Sequence, residues 1–227
     1  MADNKQIKDG LGNIFTIRMR DLSSGLDGSY QRSMIFATPY PVDYGGGGVF
    51  QHCAKSNIIL AAAPANSPIY SFRWASTTAF ALISRARLLA WSNTLFVGGL
   101  AIFDFFAARA FTATDSAGQA AVLTGENNQL RTTMGASSAQ IAYANTGPLT
   151  PGTRTLDPAP LDTRIVPVPT AANALFGAGP ITLFEKLQGD HPLVLAANEG
   201  FVVRVTLPSD GAWLFALTLE WAEVPAY

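Results

Sequence analysis

The sequence predicts an all-β fold: an antiparallel β-sandwich, jelly-roll-like, with an extended N-terminal arm. Two observations support the sandwich. From residue 49 onward, runs of strand-forming residues are interrupted by Pro, Gly, Asn and Ser clusters at 63–68, 147–160 and 167–180, which is typical of short strands packed in two layers. Near the end of the chain, apolar and smaller or polar side chains alternate with a period of two, the period of a strand.

Residues 1–44 are predicted to form the arm, which anchors the protein to its neighbours. Turn signals at 9–10, 24–25 and 27–28 separate short strand-like pieces, and these pieces are too few to bury a core alone. We therefore expect their apolar side chains to pack against other subunits. The residues predicted at this assembly interface are Ile14, Phe15, Ile17, Tyr30, Met34 and Phe36.

Four consecutive glycines at 45–48 follow the arm and are predicted to form a hinge, because glycine restricts neither φ nor ψ. The alternative is a tight corner within one domain, where a close backbone approach requires glycine. The hinge interpretation gives three parts: an arm over 1–44, a hinge over 45–48 and a sandwich domain over 49–227.

Two strands near the end of the chain have the clearest pattern. Phe201, Val203, Val205 and Leu207 would share one face of the first, and a turn signal at 208–211 follows, with Pro to set φ and Gly to accept a positive φ. In the second strand the residues that share one face are Trp213, Phe215, Leu217, Leu219 and Trp221. We predict that the two strands pair as a core-lining antiparallel hairpin.

The middle of the chain is compatible with helix or strand at 77–90 and 100–111. Strand is favoured at 100–111, because a period of two places Ala101, Phe103 and Phe105 on one face, whereas a helical period leaves aromatic residues on every side. We predict that both segments are mostly strand.

The chain of 227 residues is 48% apolar and only 14% charged, against about 25% charged in an ordinary soluble domain. Few charges mean little repulsion between copies, so we expect other subunits to cover much of the surface. A compact monomer with a Ser, Thr, Asn and Gly surface is the alternative. The net charge of −1 lacks the basic footprint of a nucleic-acid-binding protein.

No membrane segment is expected. The longest uncharged apolar stretch, 88–103, is interrupted by Ser, Asn, Thr and Gly and is shorter than the roughly 20 residues that a spanning helix needs. The first residues are polar and charged, so we expect no secretory signal peptide and a product that stays in the cytosol where it is made.

Catalytic, metal and cofactor sites are not predicted. His52 and Cys53 are adjacent, but neighbours in a strand point to opposite faces, and we expect a buried or interfacial Cys53 beside a surface His52. Two histidines and one cysteine do not supply a zinc-ligand spacing. The glycines at 45–48 lack the Lys and Ser of a phosphate-binding loop.

Carboxylates and tryptophans could in principle serve a glycoside hydrolase or a carbohydrate-binding module, although a β protein of this size ordinarily contains as many carboxylates. Asp104 interrupts an aromatic-rich strand, so an inward Asp104 needs a partner such as Arg85, Arg87 or Arg109, and otherwise it faces outward. We expect Trp74, Trp91, Trp213 and Trp221 to fill the core, and the loops 118–135 and 147–169 to be functional or interfacial.

Several short segments resemble uncharacterised bacteriophage virion proteins. They are 1–4 (MADN), 7–10 (IKDG), 30–32 (YQR), 123–125 (LTG), 130–132 (LRT), 152–157 (GTRTLD), 191–195 (HPLVL), 198–201 (NEGF) and 220–223 (EWAE). The resemblance implies membership of a virus particle and brings no catalytic residues with it.

The sequence therefore leads us to expect a non-enzymatic virion protein, made in the host bacterial cytoplasm, that decorates or cements the phage head as a homotrimer. Its expected partners are copies of itself and other virion proteins, the major capsid protein first among them. The alternatives are a tail, collar or baseplate subunit with a structural or receptor-binding role and, in another class, the carbohydrate-binding module or hydrolase.

Overall fold

The computed structural model describes residues 3–8, 14–19, 48–56, 60–61, 66–123, 128–131, 134–187, 190–208 and 210–225. The chain divides into two compact units, Met1–Thr38 and Pro39–Tyr227. In the first unit, strands β1 (Asp3–Lys8) and β2 (Ile14–Met19) form an antiparallel pair in which Lys8 lies opposite Ile14 and Asp3 opposite Met19.

The predicted interface residues fall in this first unit. Ile14, Phe15 and Ile17 lie in β2, opposite Lys8, Ile7 and Lys5 of β1, whereas Tyr30, Met34 and Phe36 lie outside the described residues. Of the predicted hinge, only Gly48 is described. Its φ of +77° favours glycine, and an added Cβ would lie 2.5 Å from the Met134 sulfur. The assignments of 1–44 as an arm and 45–48 as a hinge remain predictions.

The second unit is all-β, with no helix among its described residues. Its strands are β3 (Val49–Lys55), β4 (Leu60–Ala61), β5 (Ser67–Trp74), β6 (Phe80–Thr94), β7 (Leu100–Arg109), β8 (Gln119–Ala120), β9 (Ala139–Tyr143), β10 (Thr155–Leu156), β11 (Asp162–Pro167), β12 (Ala174–Leu175), β13 (Ile181–Glu185), β14 (Leu193–Leu195), β15 (Glu199–Thr206) and β16 (Ala212–Val224). Both ambiguous central segments are strands, β6 and β7, as predicted.

These strands form two antiparallel sheets of seven strands each, so the predicted β-sandwich is confirmed. The first sheet has the order β12-β6-β16-β3, with β13 and β14 also beside β6 and β4 beside β16. The second sheet has the order β10-β7-β15-β5-β9-β8, with β11 also beside β7.

Pairing within the sheets is nested along the chain. The strand β3 pairs with β16 and β5 pairs with β15. Further in, β6 pairs with β12, β13 and β14, and β7 pairs with β10 and β11. From β5 to β6, from β6 to β7 and from β15 to β16, the chain therefore passes from one sheet to the other.

The predicted pairing of the last two strands as a hairpin is wrong. Strand β15 lies between β5 and β7 in the second sheet, and β16 lies between β6 and β3 in the first. Each strand already has partners on both sides, so the turn near Pro208 and Gly211 connects the two sheets. The predicted inward faces are correct, because the alternate residues from Phe201 to Leu207 and from Trp213 to Trp221 are all buried.

Aromatic rings from opposite sheets meet in the core. Phe105 of β7 stacks on Phe184 of β13 with 5.8 Å between ring centroids. Trp221 of β16 meets Phe72 of β5 edge-on at 5.6 Å. Offset and edge-on contacts of this kind add to the hydrophobic stabilisation of a core. The core thus holds the two sheets together and leaves their outer faces for other roles.

Candidate functional site

His52 and Cys53 lie on opposite faces of β3, as expected, but the predicted surface position of His52 is wrong, and of the two alternatives for Cys53 the buried one is wrong. His52 is buried, with its ring centroid 6.0 Å from that of Tyr143, and burial lowers the pKa of its imidazole. Cys53 is exposed on the outer face of the first sheet. The alternation of β3 sets this arrangement, because its even-numbered residues face the core. The imidazole is therefore not placed to activate the thiol.

Three arginines that were candidate partners for Asp104 pair with other carboxylates. Arg85 contacts Glu220 at 2.7 Å and Arg87 contacts Glu185 at 2.5 Å. Arg109 lies 2.5 Å from Glu199 and 3.4 Å from Asp157. Asp104 accepts a hydrogen bond of 2.8 Å from the Thr163 hydroxyl.

Asp104 is thus on the outer face, which was the second possibility foreseen for it. These partly exposed pairs are surface interactions of small energy.

No group of three or more metal-binding side chains occurs among the described residues. None of the described elements is a helix long and apolar enough to cross a membrane.

Three tryptophans, Trp74, Trp213 and Trp221, are fully buried and fill the core as predicted. Trp91 is half-buried at an outward position of β6, so the described tryptophans do not form an exposed platform.

The outer face of the second sheet combines charged, polar and apolar side chains. Alternate residues of β7 point outward here, beside outward residues of β15 and β11 in register with them. The outward positions are Leu100, Ile102, Asp104, Phe106 and Ala108 of β7, Val202, Arg204 and Thr206 of β15, and Thr163, Ile165 and Pro167 of β11. One half of this face is covered by the chain itself and the other half is open.

The covered half lies beneath segments 110–118 and 149–157. Phe111 is fully buried and forms a small apolar cluster with Ala108 and Val202, against which Leu156 packs. Backbone hydrogen bonds of 2.9 Å join the two segments, one in each direction between Ser116 and Thr150. The loop predicted to be functional or interfacial at 147–169 therefore begins as an intramolecular cover.

A buried ion pair holds this cover together. Arg154 Nη1 lies 2.9 Å from Asp115 Oδ1, and their side chains are 4% and 0% exposed. The same Asp115 oxygen accepts the Gly152 N–H at 2.8 Å, and the Arg154 guanidinium lies 5.5 Å from the centre of the Phe111 ring. Arg154 Nε is buried without a hydrogen-bond partner. Burial lowers the pKa of Arg154, the Asp115 charge opposes this, and the nearby Arg204 charge adds to it.

Between the covered and open halves lies a cleft of about 240 Å³, which we call the arginine cleft. Its lining residues are Asn66, Pro68, Pro151, Arg154, Leu156 and Arg204. Arg204 is held by a 3.0 Å hydrogen bond from its Nε to the Asn66 carbonyl. Its guanidinium lies 5.2 Å from the centre of the Phe106 ring, within the range of a cation–π contact.

The open half carries apolar side chains at outward positions. Leu100 is 56% exposed and lies opposite Pro167. Ile165 is 58% exposed and lies opposite Ile102. We call Leu100, Ile102, Ile165 and Pro167 the apolar strip. Contiguous apolar surface on a soluble domain commonly marks a contact site.

The first residues of the β3 edge, by contrast, are covered. Gln51 of β3 donates its N–H to Asn128 at 2.8 Å, and Leu130 donates its N–H to Val49 at 3.0 Å. At the other side, β11 is tied to β13 through Arg164 Nε, which donates to the Thr182 carbonyl at 2.7 Å. A covered edge resists strand addition by another chain.

Alternation along β15 places Arg204 on the face opposite Phe201 and Val203, but no sequence pattern indicates the cleft. Arg154 lies 50 positions earlier in the chain, and the two meet only because segment 149–157 folds back over β15 and β7. Comparison with protein-family models, with curated proteins and with solved structures finds no match for the chain.

Proposed function

We propose that the chain is a structural protein of a bacteriophage particle, one that decorates or cements the head through contacts with copies of itself and with the major capsid protein. It is made in the host bacterial cytoplasm and resides in the virion. The apolar strip is the observation that carries the proposal, because exposed Leu100 and Ile165 gain from being covered by a partner.

The strand order supports a jelly roll, which belongs to the same proposal. Nested pairing of β3 with β16, β5 with β15, β6 with β12 to β14 and β7 with β10 and β11 is what results when one long antiparallel ribbon is wound into two sheets. The double-sheet jelly roll occurs in viral capsid domains, and also in lectins and cupins. The fold alone therefore favours no single role, and the support for an assembly role comes from the surface.

The character of the surface favours assembly. Only 14% of the residues are charged. Several of the described charges are already paired within the chain, on the surface or in the buried pair of Arg154 with Asp115. A homotrimer closed about a threefold axis would cover the apolar strip of every subunit at once. Residues 1–44 would supply a second contact with neighbouring subunits.

The test is to place a charge in the apolar strip. Ile165→Glu puts a carboxylate at a 58% exposed position of the strip, and Val122→Glu makes a matched change at a 67% exposed position outside it. We expect Ile165→Glu to weaken self-association by about tenfold or more and to reduce incorporation into particles, with unchanged melting temperature. Val122→Glu should behave like the unmodified protein. Light scattering measures the oligomer, and complementation of a phage that lacks the gene measures incorporation.

Three results would contradict the proposal. They are a monomeric unmodified protein that is absent from particles, full incorporation of Ile165→Glu, or equal loss in both variants. Immunogold labelling of intact particles then separates the two virion locations. Label on heads is expected, and label confined to tails would favour the tail or baseplate role.

A further inference from the structure

We propose that the arginine cleft is a binding site for a small organic carboxylate, held by Arg204 and Arg154 against apolar walls. The inference stands apart from the virion role, because it depends only on the geometry of this cleft. It assigns a ligand class to a surface that the assembly proposal does not use.

The charge of the cleft favours a single negative group. Arg154 is balanced by Asp115 at 2.9 Å. No carboxylate of the described residues lies within ion-pair distance of Arg204, and its cross-strand neighbour Asp104 accepts a hydrogen bond from Thr163 instead. The cleft therefore has one positive charge, that of Arg204, which makes no ion pair with the described residues and which a carboxylate monoanion could pair with.

Both guanidinium groups are fixed before a ligand arrives. Arg204 is oriented by its bond to the Asn66 carbonyl and by the Phe106 ring. Asn66 itself has a φ of +63° and donates its N–H to Thr206 Oγ1 at 3.0 Å. Arg154 is oriented by Asp115 and Phe111. Preorganised groups lose little entropy when a ligand binds, which strengthens binding.

Donors remain for the ligand. Arg204 uses only Nε toward the described residues, so both of its Nη groups can donate. Arg154 is 4% exposed and lines the cleft, and its Nε has no partner. A planar guanidinium matches the two oxygens of a carboxylate. The arrangement thus offers two parallel donors at Arg204 and a second positive group behind them.

The rest of the cleft suits the carbon part of the ligand. Pro68, Pro151 and Leu156 form apolar walls. The volume of about 240 Å³ is larger than a carboxylate alone requires. An aliphatic acid of a few carbons would bury its chain against these walls while its carboxylate meets Arg204. Inorganic phosphate has no apolar part and brings a second charge, so we expect it to bind more weakly.

The experiment is a titration of the full chain with sodium butyrate at constant ionic strength, followed by NMR of the arginine Nε–H signals. We expect saturable shifts at Arg204 and Arg154 with a dissociation constant in the range of about 1–10 mM. Inorganic phosphate is the comparison ligand. Arg204→Gln should weaken butyrate binding about tenfold or more. Arg164→Gln, an equal loss of charge outside the cleft, should leave binding unchanged.

The melting temperature of the Arg204→Gln variant shows whether that variant is folded. If that variant is unstable, Arg204→Lys provides the test, because it keeps the charge and loses the planar donors, and weaker butyrate binding is expected. Absence of saturation, equal binding by both arginine variants, or saturation by phosphate but not by butyrate would each overturn the proposal.

Discussion

Gly200 shows how one residue permits the cover over the second sheet. It lies in β15, where an added Cβ would be 2.0 Å from the Phe72 carbonyl oxygen and 2.9 Å from Phe111 Cδ1. The oxygen belongs to the backbone of a paired strand, so it has little freedom to move. The close approach of these two strands therefore requires a residue without a side chain.

We predict that Gly200→Ala lowers the free energy of unfolding by about 2–4 kcal/mol, because strand and cover must shift to admit the methyl group. Gly147→Ala is the matched control, since nothing lies within 4 Å of its added Cβ. It should change stability by less than about 0.5 kcal/mol. Urea unfolding measures both. Equal stability of the two variants would show that β15 has room for a side chain.

The burial of His52 predicts that the free energy of unfolding depends on pH. Burial lowers the pKa of His52 below its ordinary value of 6.5, so the unfolded chain binds this proton more readily than the native protein. The stability linked to His52 is complete above pH 6.5 and is lost as pH falls through the native pKa, with a slope of at most about 1.4 kcal/mol per pH unit. In His52→Gln this contribution should disappear. Unfolding free energies of both proteins between pH 7.5 and 4.5 provide the measurement, and parallel pH profiles would refute the prediction.

At the scale of elements, the edge of β3 depends on a short segment elsewhere in the chain. Segment 128–131 covers it through hydrogen bonds at Gln51 and Val49, together with a bridge between Phe50 and Gln129. An uncovered edge would present unpaired backbone groups to other chains. This segment therefore contributes to solubility as well as to stability.

Leu130→Pro should expose that edge, because proline cannot donate the bond to the Val49 carbonyl. We expect a loss of about 1–3 kcal/mol in unfolding free energy and faster, concentration-dependent aggregation. Leu130→Ala keeps the N–H and removes a side chain that is 60% exposed, so it should resemble the unmodified protein. Unfolding curves and thioflavin fluorescence compare the two. Similar aggregation of both variants would mean that the edge is protected by other contacts.

For the strands, the sequence predicted which faces point inward but not which strands are partners. Alternation identified the inward faces of β7, β15 and β16, because each side chain's direction depends on its own strand. It could not identify the partners of those strands, and the hairpin expected of β15 and β16 is divided between two sheets. Pairing joins residues far apart in the chain, such as Phe72 of β5 with Phe201 of β15.

Long-range contact also explains why the arginine cleft was missed. Arg154 and Arg204 belong to a loop and a strand 50 positions apart, and neither has a local pattern that marks a binding residue. The wrong prediction of a surface His52 has a similar origin. Alternation predicts that neighbours oppose each other, but which of the two faces the core depends on how β3 pairs with β16.

At the scale of the whole molecule, the second unit has its own core, so we predict that the sandwich can fold without residues 1–44. Rings from both sheets meet within it, as Phe72 and Trp221 do, and the chain from Pro39 to Tyr227 is one compact unit. A domain with its own core can in principle fold independently. The assembly role proposed for residues 1–44 can therefore be separated from folding.

We predict that a chain shortened to begin at Gly45 unfolds cooperatively, with a melting temperature within about 5 °C of the full chain, but no longer joins particles. The full chain with Ile14, Phe15 and Ile17 all changed to Ser is the second variant, because it keeps the length and removes apolar contacts predicted for the arm. Both proteins should lose incorporation in a complementation assay. Loss of cooperative unfolding in the shortened chain would show that residues 1–44 belong to the fold. Normal incorporation of both variants would leave the apolar strip on the second sheet as the surface that joins the particle, since the arm would then make no required contact.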